Sequence, residues 1–154
     1  MLLENHKTLP ADVVGLVNFY EDGDSSLTYS DEEMKAIWYA YDFAKIAHGS
    51  QKRLSGEDFV FHPLAVSKII VELHMDADTV IASLLHDVVE DTEISLEELS
   101  EEFGEQIAQI VDGVTKLKQY ESPGSSDAES IKKLFLAIVN DARVIVVKLA
   151  DRLH

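Results

Sequence analysis

Apolar residues recur three and four positions apart through almost the whole chain, the spacing of one face of an α-helix. Pro10 suits the first turn of a short helix through Val13, Val14, Leu16 and Val17 to Tyr20, and EDGDSS at 21–26 reads as a loop. Ser30-Asp31-Glu32-Glu33 is a capping box that opens a helix of Met34, Ile37, Trp38, Tyr41 and Ala44, stopped by Gly49. The pattern then lapses, and QKRLSGEDFVFH at 51–62 predicts an ordered loop. Pro63 suits the first turn of the next helix, with Ala65, Val66, Ile69, Ile70 and Leu73 on its inner face.

Asp76 or Asp78 caps the helix that follows. A second capping box, Ser95-Leu96-Glu97-Glu98, leads a short helix to Phe103 and Gly104. Ile107, Ile110, Val111, Val114 and Leu117 form the stripe of another, and ESPGSSD at 121–127 reads as a flexible loop. Two helices close the chain, one around Ile131 to Val139 and one from about Ala142 to the end. RVIVVKLA has the composition of a buried strand, but nothing else in the chain offers a strand to pair with it, so helix is assigned. With no internal repeat and no low-complexity tract, the pattern predicts one all-α domain.

Composition narrows the function classes. The 154 residues are 46% hydrophobic and 27% charged, enough for one domain with a real core. Without cysteine, neither a disulfide framework nor a thiolate metal site is available. Thirteen Lys and Arg against twenty-nine Asp and Glu give a formal charge of −16, which excludes a basic stripe for nucleic acid. No signal-peptide pattern or membrane-length apolar run is present, so no membrane partner and a cytoplasmic location are expected.

One stretch departs from ordinary amphipathicity. LLHDVVEDT at 84–92 sets His86, Asp87, Glu90 and Asp91 among aliphatics. At about 100° per residue, with His86 at zero, Glu90 falls at about 40°, Asp87 at about 100° and Asp91 at about 140°. Leu84, Val88, Ile81, Leu85 and Val89 occupy roughly 160° to 300° of the same wheel. The expectation is a half-buried helix with a carboxylate-rich face.

A divalent ion needs deprotonated nitrogen and oxygen ligands from several directions. His86 and Asp87 supply part of such a sphere. His62, beside Pro63 at the mouth of a helix, and Asp151, in KLADRLH on the last helix, offer the rest. Two imidazoles and two carboxylates without sulfur suit Mn, Fe, Zn or Ni, and the carboxylate share leans toward Mn. Glu90 and Asp91 stay free for water activation. Each residue also has an ordinary use: His86 as a partly buried hydrogen-bonding group, Asp87 as a surface group, Asp151 as the ion-pair partner of Arg143 or Lys148, and His62 as a helix-entry residue. The order His…His-Asp…Asp across an all-α chain is a stronger signal than any member, and it resembles the ligand pattern of the HD-domain metal phosphohydrolases.

The resemblance extends further. HGSQKRLSGEDFVFHPLAV, SLLHDVVEDTEISLEELSEEFGEQIAQIVDGVTKL and RVIVVKLADRLH resemble the hydrolase domain of the long RelA/SpoT-homologue family, which makes and degrades the alarmone (p)ppGpp. The similarity runs from about Ala36 to His154. It implies an all-α HD-domain helical bundle in which His62, His86, Asp87 and Asp151 bind Mn²⁺, while Glu90 and Asp91 position or activate the water. The implied reaction removes the 3′-pyrophosphate, giving GDP or GTP and PPi. Arg53 matches the arginine that stacks on guanine, and Ser55 a residue near the sugar and phosphates. Family members commonly carry a basic residue where this chain has Leu54, and Lys52 is the neighbouring cation that can compensate. In the family the last helix continues past the position of His154 and a synthetase domain lies beyond. The resemblance therefore implies residues 1–154 as an N-terminal fragment of a longer parent, truncated at its C-terminal helix. The rivals are another HD-family chemistry, such as a nucleotidase or cyclic-nucleotide phosphodiesterase, and a silent nucleotide-sensing regulatory module.

Overall fold

A computed structural model describes residues 29–120 and 127–154. The helix expected after Pro10, the EDGDSS loop and residues 121–126 of the ESPGSSD loop lie outside the described residues. Among those described, every regular element is a helix, and the one β-type contact is an isolated bridge between Lys52 and Asp58.

Helix α1 spans Asp31–His48. Its capping box is complete: Ser30 Oγ accepts from the Glu33 amide at 3.1 Å, and Glu33 Oε2 accepts from the Ser30 amide at 2.9 Å. Gly49 ends it at φ 56°, a conformation that favours glycine. The loop expected before Pro63 is ordered by backbone bonds, Arg53 N–H to Glu57 O at 2.9 Å and Phe59 N–H to Gln51 O at 3.1 Å. Helix α2, Phe61–Glu72, has Pro63 in its first turn. Its inner face is turned from the expected one: Leu64, Ser67 and Val71 are buried with Val66 and Ile70, Ala65 and Ile69 are only partly so, and Leu73 is exposed. The reason is the helix end. Glu72 is the last helical residue, and the chain reverses through His74 at φ 62°, which lifts Leu73 off the core.

Helix α3, Ala77–Leu85, is capped by Asp76, whose Oδ1 accepts from the Thr79 amide at 3.0 Å. It packs against α1 and α2 and against two later helices, α6 (Glu105–Tyr120) and α8 (Arg143–Leu153). The expected half-buried helix is therefore corrected: α3 is a central helix, buried at Ala77 and at every residue from Thr79 to Leu85. Nor is it continuous through the motif. His86 and Asp87 form a turn, with Asp87 at φ −98° and ψ −5°, and a single-turn helix α4 follows at Val88–Asp91. Helix α5, Leu96–Phe103, has the second complete capping box and ends at Gly104, φ 96°. Helix α7 spans Asp127–Asn140, so Asp127 belongs to its first turn and not to the preceding loop. RVIVVKLA is helical in α8, with Val144, Val147 and Ala150 buried.

Two contacts fix α8 against the centre. Arg143 pairs with Asp141 and reaches Asp76 Oδ2 at 2.9 Å, joining the starts of α8 and α3. Farther along α6, Gly113 lets α8 approach closely: a Cβ there would lie 2.7 and 3.0 Å from the Val144 γ-carbons. Alanine exceeds glycine in helix propensity by about 1 kcal/mol, but overpacking typically costs about 1–3 kcal/mol. Gly113→Ala should therefore lower stability in urea denaturation, and should become neutral or stabilising in a Val144→Ala background. A gain in the parent background would show that the two helices are not in this contact.

Candidate metal centre

The turn at His86-Asp87 sits where α3 leaves the core. Ser83, fully buried one turn earlier, presents its backbone carbonyl to His86, whose Nδ1–H donates to it at 2.6 Å. That bond assigns a proton to Nδ1 and turns Nε2 inward. Helix α2 brings His62 and α8 brings Asp151 to the same point. His62 Nε2 lies 2.6 Å from Asp151 Oδ1 and 4.0 Å from Asp87 Oδ2. His86 Nε2 lies 3.1 Å from Asp87 Oδ2 and 3.4 Å from Asp151 Oδ1. His62, His86 and Asp87 are 8%, 0% and 3% exposed, and the Asp151 side chain is 12% exposed. The four residues singled out in the sequence as ligands thus converge from three segments.

The donor set fits a metal ion on two counts. Although it faces two carboxylate oxygens, the buried His86 Nε2 makes no hydrogen bond to either. Aimed at two carboxylates, that nitrogen carries a proton in the metal-free protein and would give it up to a cation. Ligand atoms at about 2.1 Å from one ion stand about 3 Å apart when adjacent and about 4.2 Å when opposite. Three of the four separations, 3.1, 3.4 and 4.0 Å, fall in that range, while His62 Nε2 and Asp151 Oδ1 stand at a hydrogen-bond distance of 2.6 Å. The ligand atoms of His62, His86 and Asp87 all lie within 4.8 Å of one another.

Electrostatics agree with the geometry. Burial opposes a charged His86, but Asp151 and Asp87 outweigh it and raise its pKa to about 9. Burial likewise opposes charge on Asp87, yet His86 and Lys118 hold its carboxyl well below the usual carboxylate range. Asp151 is held low against the same burial by His62, His86 and Lys118. The pocket demands positive charge and draws it from a ring proton and a lysine.

Glu90 and Asp91 do not touch the four-residue cluster directly. Glu90, its side chain 25% exposed, reaches it through Lys118, whose Nζ donates to Glu90 Oε2 at 3.0 Å and to Asp87 Oδ1 at 2.5 Å. Asp91 is exposed; burial, with Asp87 adding to it, raises its carboxyl above the ordinary value against the pull of Lys118. The break at His86-Asp87 explains the separation, because the expected single wheel does not carry across it.

Arg53, half-buried, and Ser55, exposed, lie in the loop between α1 and α2. Lys52 forms an ion pair with Asp58 across that loop, and Leu54 is fully exposed. Two connections went unread in the sequence. Gln51 Nε2 donates to the Asp91 carbonyl at 2.7 Å, and the buried His48 ring stacks on Phe59 with centroids 4.6 Å apart. The first ties the loop to the end of α4, and the second ties it to the end of α1. At the end of α8, His154 Nδ1 lies 2.9 Å from His62 Nδ1, and burial together with His62 and Arg53 lowers the His154 pKa.

Comparison with known proteins gives the family of the chain. Residues 40–154 match the HD domain family. The chain belongs to that family. Its relatives bear out the RelA/SpoT-homologue resemblance of the motifs. The guanosine-3′,5′-bis(diphosphate) 3′-pyrophosphohydrolase of Aquifex aeolicus is 46% identical over 140 residues, 91% of this chain and 20% of that protein. The probable GTP pyrophosphokinase of Mycobacterium leprae is 46% identical over 126 residues, 82% of this chain and 16% of that protein. A solved structure described as a metazoan ortholog of SpoT that hydrolyzes ppGpp is 31% identical, with a TM-score of 0.59, covering 82% of this chain and 69% of that one. This HD domain spans a fifth or less of the curated relatives named here. Among the described residues, no helix is long and apolar enough to cross a membrane.

HD domains are metal-dependent, and the cluster gives that dependence a physical readout. A ligand that binds only the folded state stabilises it by about 2.7 kcal/mol at a hundred times its Kd. Adding Mn²⁺ should raise the thermal midpoint, EDTA should reverse the gain, and His86→Ala should abolish it. A His86→Ala protein that still gains stability from Mn²⁺ would move the ion elsewhere.

Proposed function

We propose that this HD domain hydrolyses the 3′-pyrophosphate of ppGpp and pppGpp, with Mn²⁺ held by His62, His86, Asp87 and Asp151. The observation that carries the reading is the convergence of two buried imidazoles, His62 and His86, with the carboxylates of Asp87 and Asp151 at one point. It is supported by relatives named as a 3′-pyrophosphohydrolase and as GTP pyrophosphokinases. When bound, the ion lowers the pKa of water and offsets charge on the pyrophosphate. In the overall reaction the hydroxyl of water joins the pyrophosphoryl group and its proton ends on the 3′ oxygen. The products are PPi with GDP from ppGpp or GTP from pppGpp.

The chain's own residues divide the remaining work. Glu90 and Asp91 orient the attacking water and accept its proton, Asp91 with a carboxyl whose proton affinity is already raised. Arg53 lies against the guanine face, where a planar guanidinium stacks on an aromatic ring. Ser55 contacts the nucleotide near its sugar and phosphates, and Lys52 turns from Asp58 toward a phosphate. The reading takes a soluble guanine nucleotide as the partner and the cytoplasm as the location.

The deciding experiment measures PPi release from ppGpp with and without Mn²⁺, alongside metal analysis. Release of phosphate from nucleoside monophosphates or cyclic nucleotides without PPi from ppGpp would overturn the substrate. Nucleotide binding without any turnover would leave a sensing module instead.

Within that assay, Glu90→Gln and Asp91→Asn should keep Mn²⁺-dependent stabilisation yet lose PPi release by about 10²–10⁴-fold. Turnover at the parent rate in both variants would remove the pair from the mechanism. Arg53→Ala should raise KM with metal content unchanged, since stacking is made largely in the ground state. Loss of metal from that variant would mean the loop serves the fold and not the substrate.

A further inference from the structure

We infer that Lys118 is a positioning residue that anchors the Glu90 carboxylate to the metal centre through Asp87. The inference rests on the hydrolase reading above and deepens it. Lys118 belongs to α6, four residues after Val114 and seven after Val111, both fully buried. It therefore continues the apolar stripe of the helix. A charged residue on a buried stripe needs partners, and this one is 26% exposed with its ammonium emerging beside the cluster.

The contacts have a specific order. Asp87 is shared between two neighbours: Oδ2 lies 3.1 Å from His86 Nε2, and Oδ1 accepts from Lys118. The same ammonium donates to Glu90 Oε2 at 3.0 Å. Among the described residues, Lys118 is the ion-pair partner of Glu90. Glu90 stands on α4, a single turn set at the rim, and its side chain has three rotatable bonds. Left to solvent, such a carboxylate samples many rotamers, and holding it in one geometry costs conformational entropy. Lys118 removes that freedom in advance and sets Glu90 a fixed distance from a residue of the ligand set. Preorganisation of this kind acts on the rate of the chemical step more than on ground-state binding.

A different role is available to the same lysine: neutralising the buried Asp87 alone. The two roles separate through Glu90. If Lys118 acts by positioning Glu90, its loss is felt while Glu90 carries a carboxylate and largely disappears when that carboxylate is gone. If it serves Asp87 alone, its loss is independent of Glu90 and weakens metal binding.

The test compares Lys118→Met, Lys118→Arg, Glu90→Gln and the double variant Lys118→Met/Glu90→Gln. Lys118→Met, which keeps the stem and removes the charge, should lower kcat for PPi release about 10- to 100-fold with KM little changed. It should retain the Mn²⁺-dependent rise in thermal midpoint, and Lys118→Arg should recover part of the rate. The double variant should be no slower than Glu90→Gln alone. A second readout needs neither metal nor turnover: in the metal-free protein, Lys118→Met should lower the thermal midpoint more in the parent than in the Glu90→Gln background. The inference is overturned by an unchanged kcat, by a change confined to KM, by loss of the Mn²⁺ effect, or by additivity of the two substitutions in rate. If the parent protein itself releases no PPi, the hydrolase reading fails first. The thermal coupling then decides the Lys118–Glu90 link by itself, with additive midpoints overturning it.

Discussion

Asp87 is a carboxylate set in the middle of a helical core, and the rest of the arrangement follows from making that tolerable. An ionised carboxylate without partners in such a place costs several kcal/mol, which protonation or pairing must relieve. Here pairing prevails: Lys118 on one oxygen and the His86 ring beside the other hold the group in its charged form. Asp151 repeats the problem on α8 and is answered by His62 and His86. The compensation comes from α2, α6 and the turn after α3, so these elements must meet at one point for the charge to be stable. The buried Asp87 and the partly buried Asp151 are balanced by the His86 ring and by the ammoniums of Lys118 and Lys148, and the pocket they form would hold a divalent ion with its ligating imidazoles neutral.

The turn at His86-Asp87 is what allows this. Had α3 run on unbroken, His86 and Asp87 would share one helical wheel with Glu90 and Asp91, and all four would face the same way. With the break, the first pair goes inward and the second stays at the rim, where α4 resumes the ladder through Asp91 N–H to Asp87 O at 3.0 Å. The chain thereby separates groups suited to hold an ion from groups suited to move a proton. Lys118 spans the separation. Ser83 completes it from within α3, because its carbonyl, released where the helix ends, accepts the His86 Nδ1 proton and dictates which nitrogen faces the carboxylates.

Much of this could be read in the sequence because it depends on local chemistry. Both Ser-x-x-Glu boxes, the Asp76 cap and the glycine stops are short-range signals, and each forms as its residues dictate. The stripe from Ile107 to Leu117 is buried as its spacing requires. His62, His86, Asp87 and Asp151 could be grouped from residue type and order, although 89 residues separate the first from the last. What escaped depends on tertiary surroundings. A wheel can tell neither that α3 is enclosed by four helices nor that it breaks at His86-Asp87, so it does not separate that buried pair from Glu90 and Asp91, which are exposed. Nor does a wheel show that Glu72 ends α2, which leaves Leu73 outside. Lys118 carried a legible signal, a cation in register with Val111 and Val114, but register alone does not say which carboxylates stand opposite it. Gln51 had none, since its bond to the Asp91 carbonyl joins two irregular segments that no periodicity relates.

The net charge of −16 and a polyanionic nucleotide are compatible because the two act over different ranges. At physiological ionic strength, exposed charges separated by more than about 8 Å are largely screened. The acidic runs on α1 and α5 are surface groups at capping boxes, and they repel an approaching anion only weakly at the pocket. Within the pocket the balance is local and little screened. Lys118 and Lys148 stand within ion-pair distance of Asp87 and Asp151, and Arg53 is close enough to perturb His154. Composition thus excludes a nucleic-acid groove, which needs a continuous basic track, without excluding a nucleotide, which needs a few cations at one point. The sign of the whole surface and the sign of the site are separate quantities, and in this domain the second is set by a handful of side chains that converge on a single buried turn.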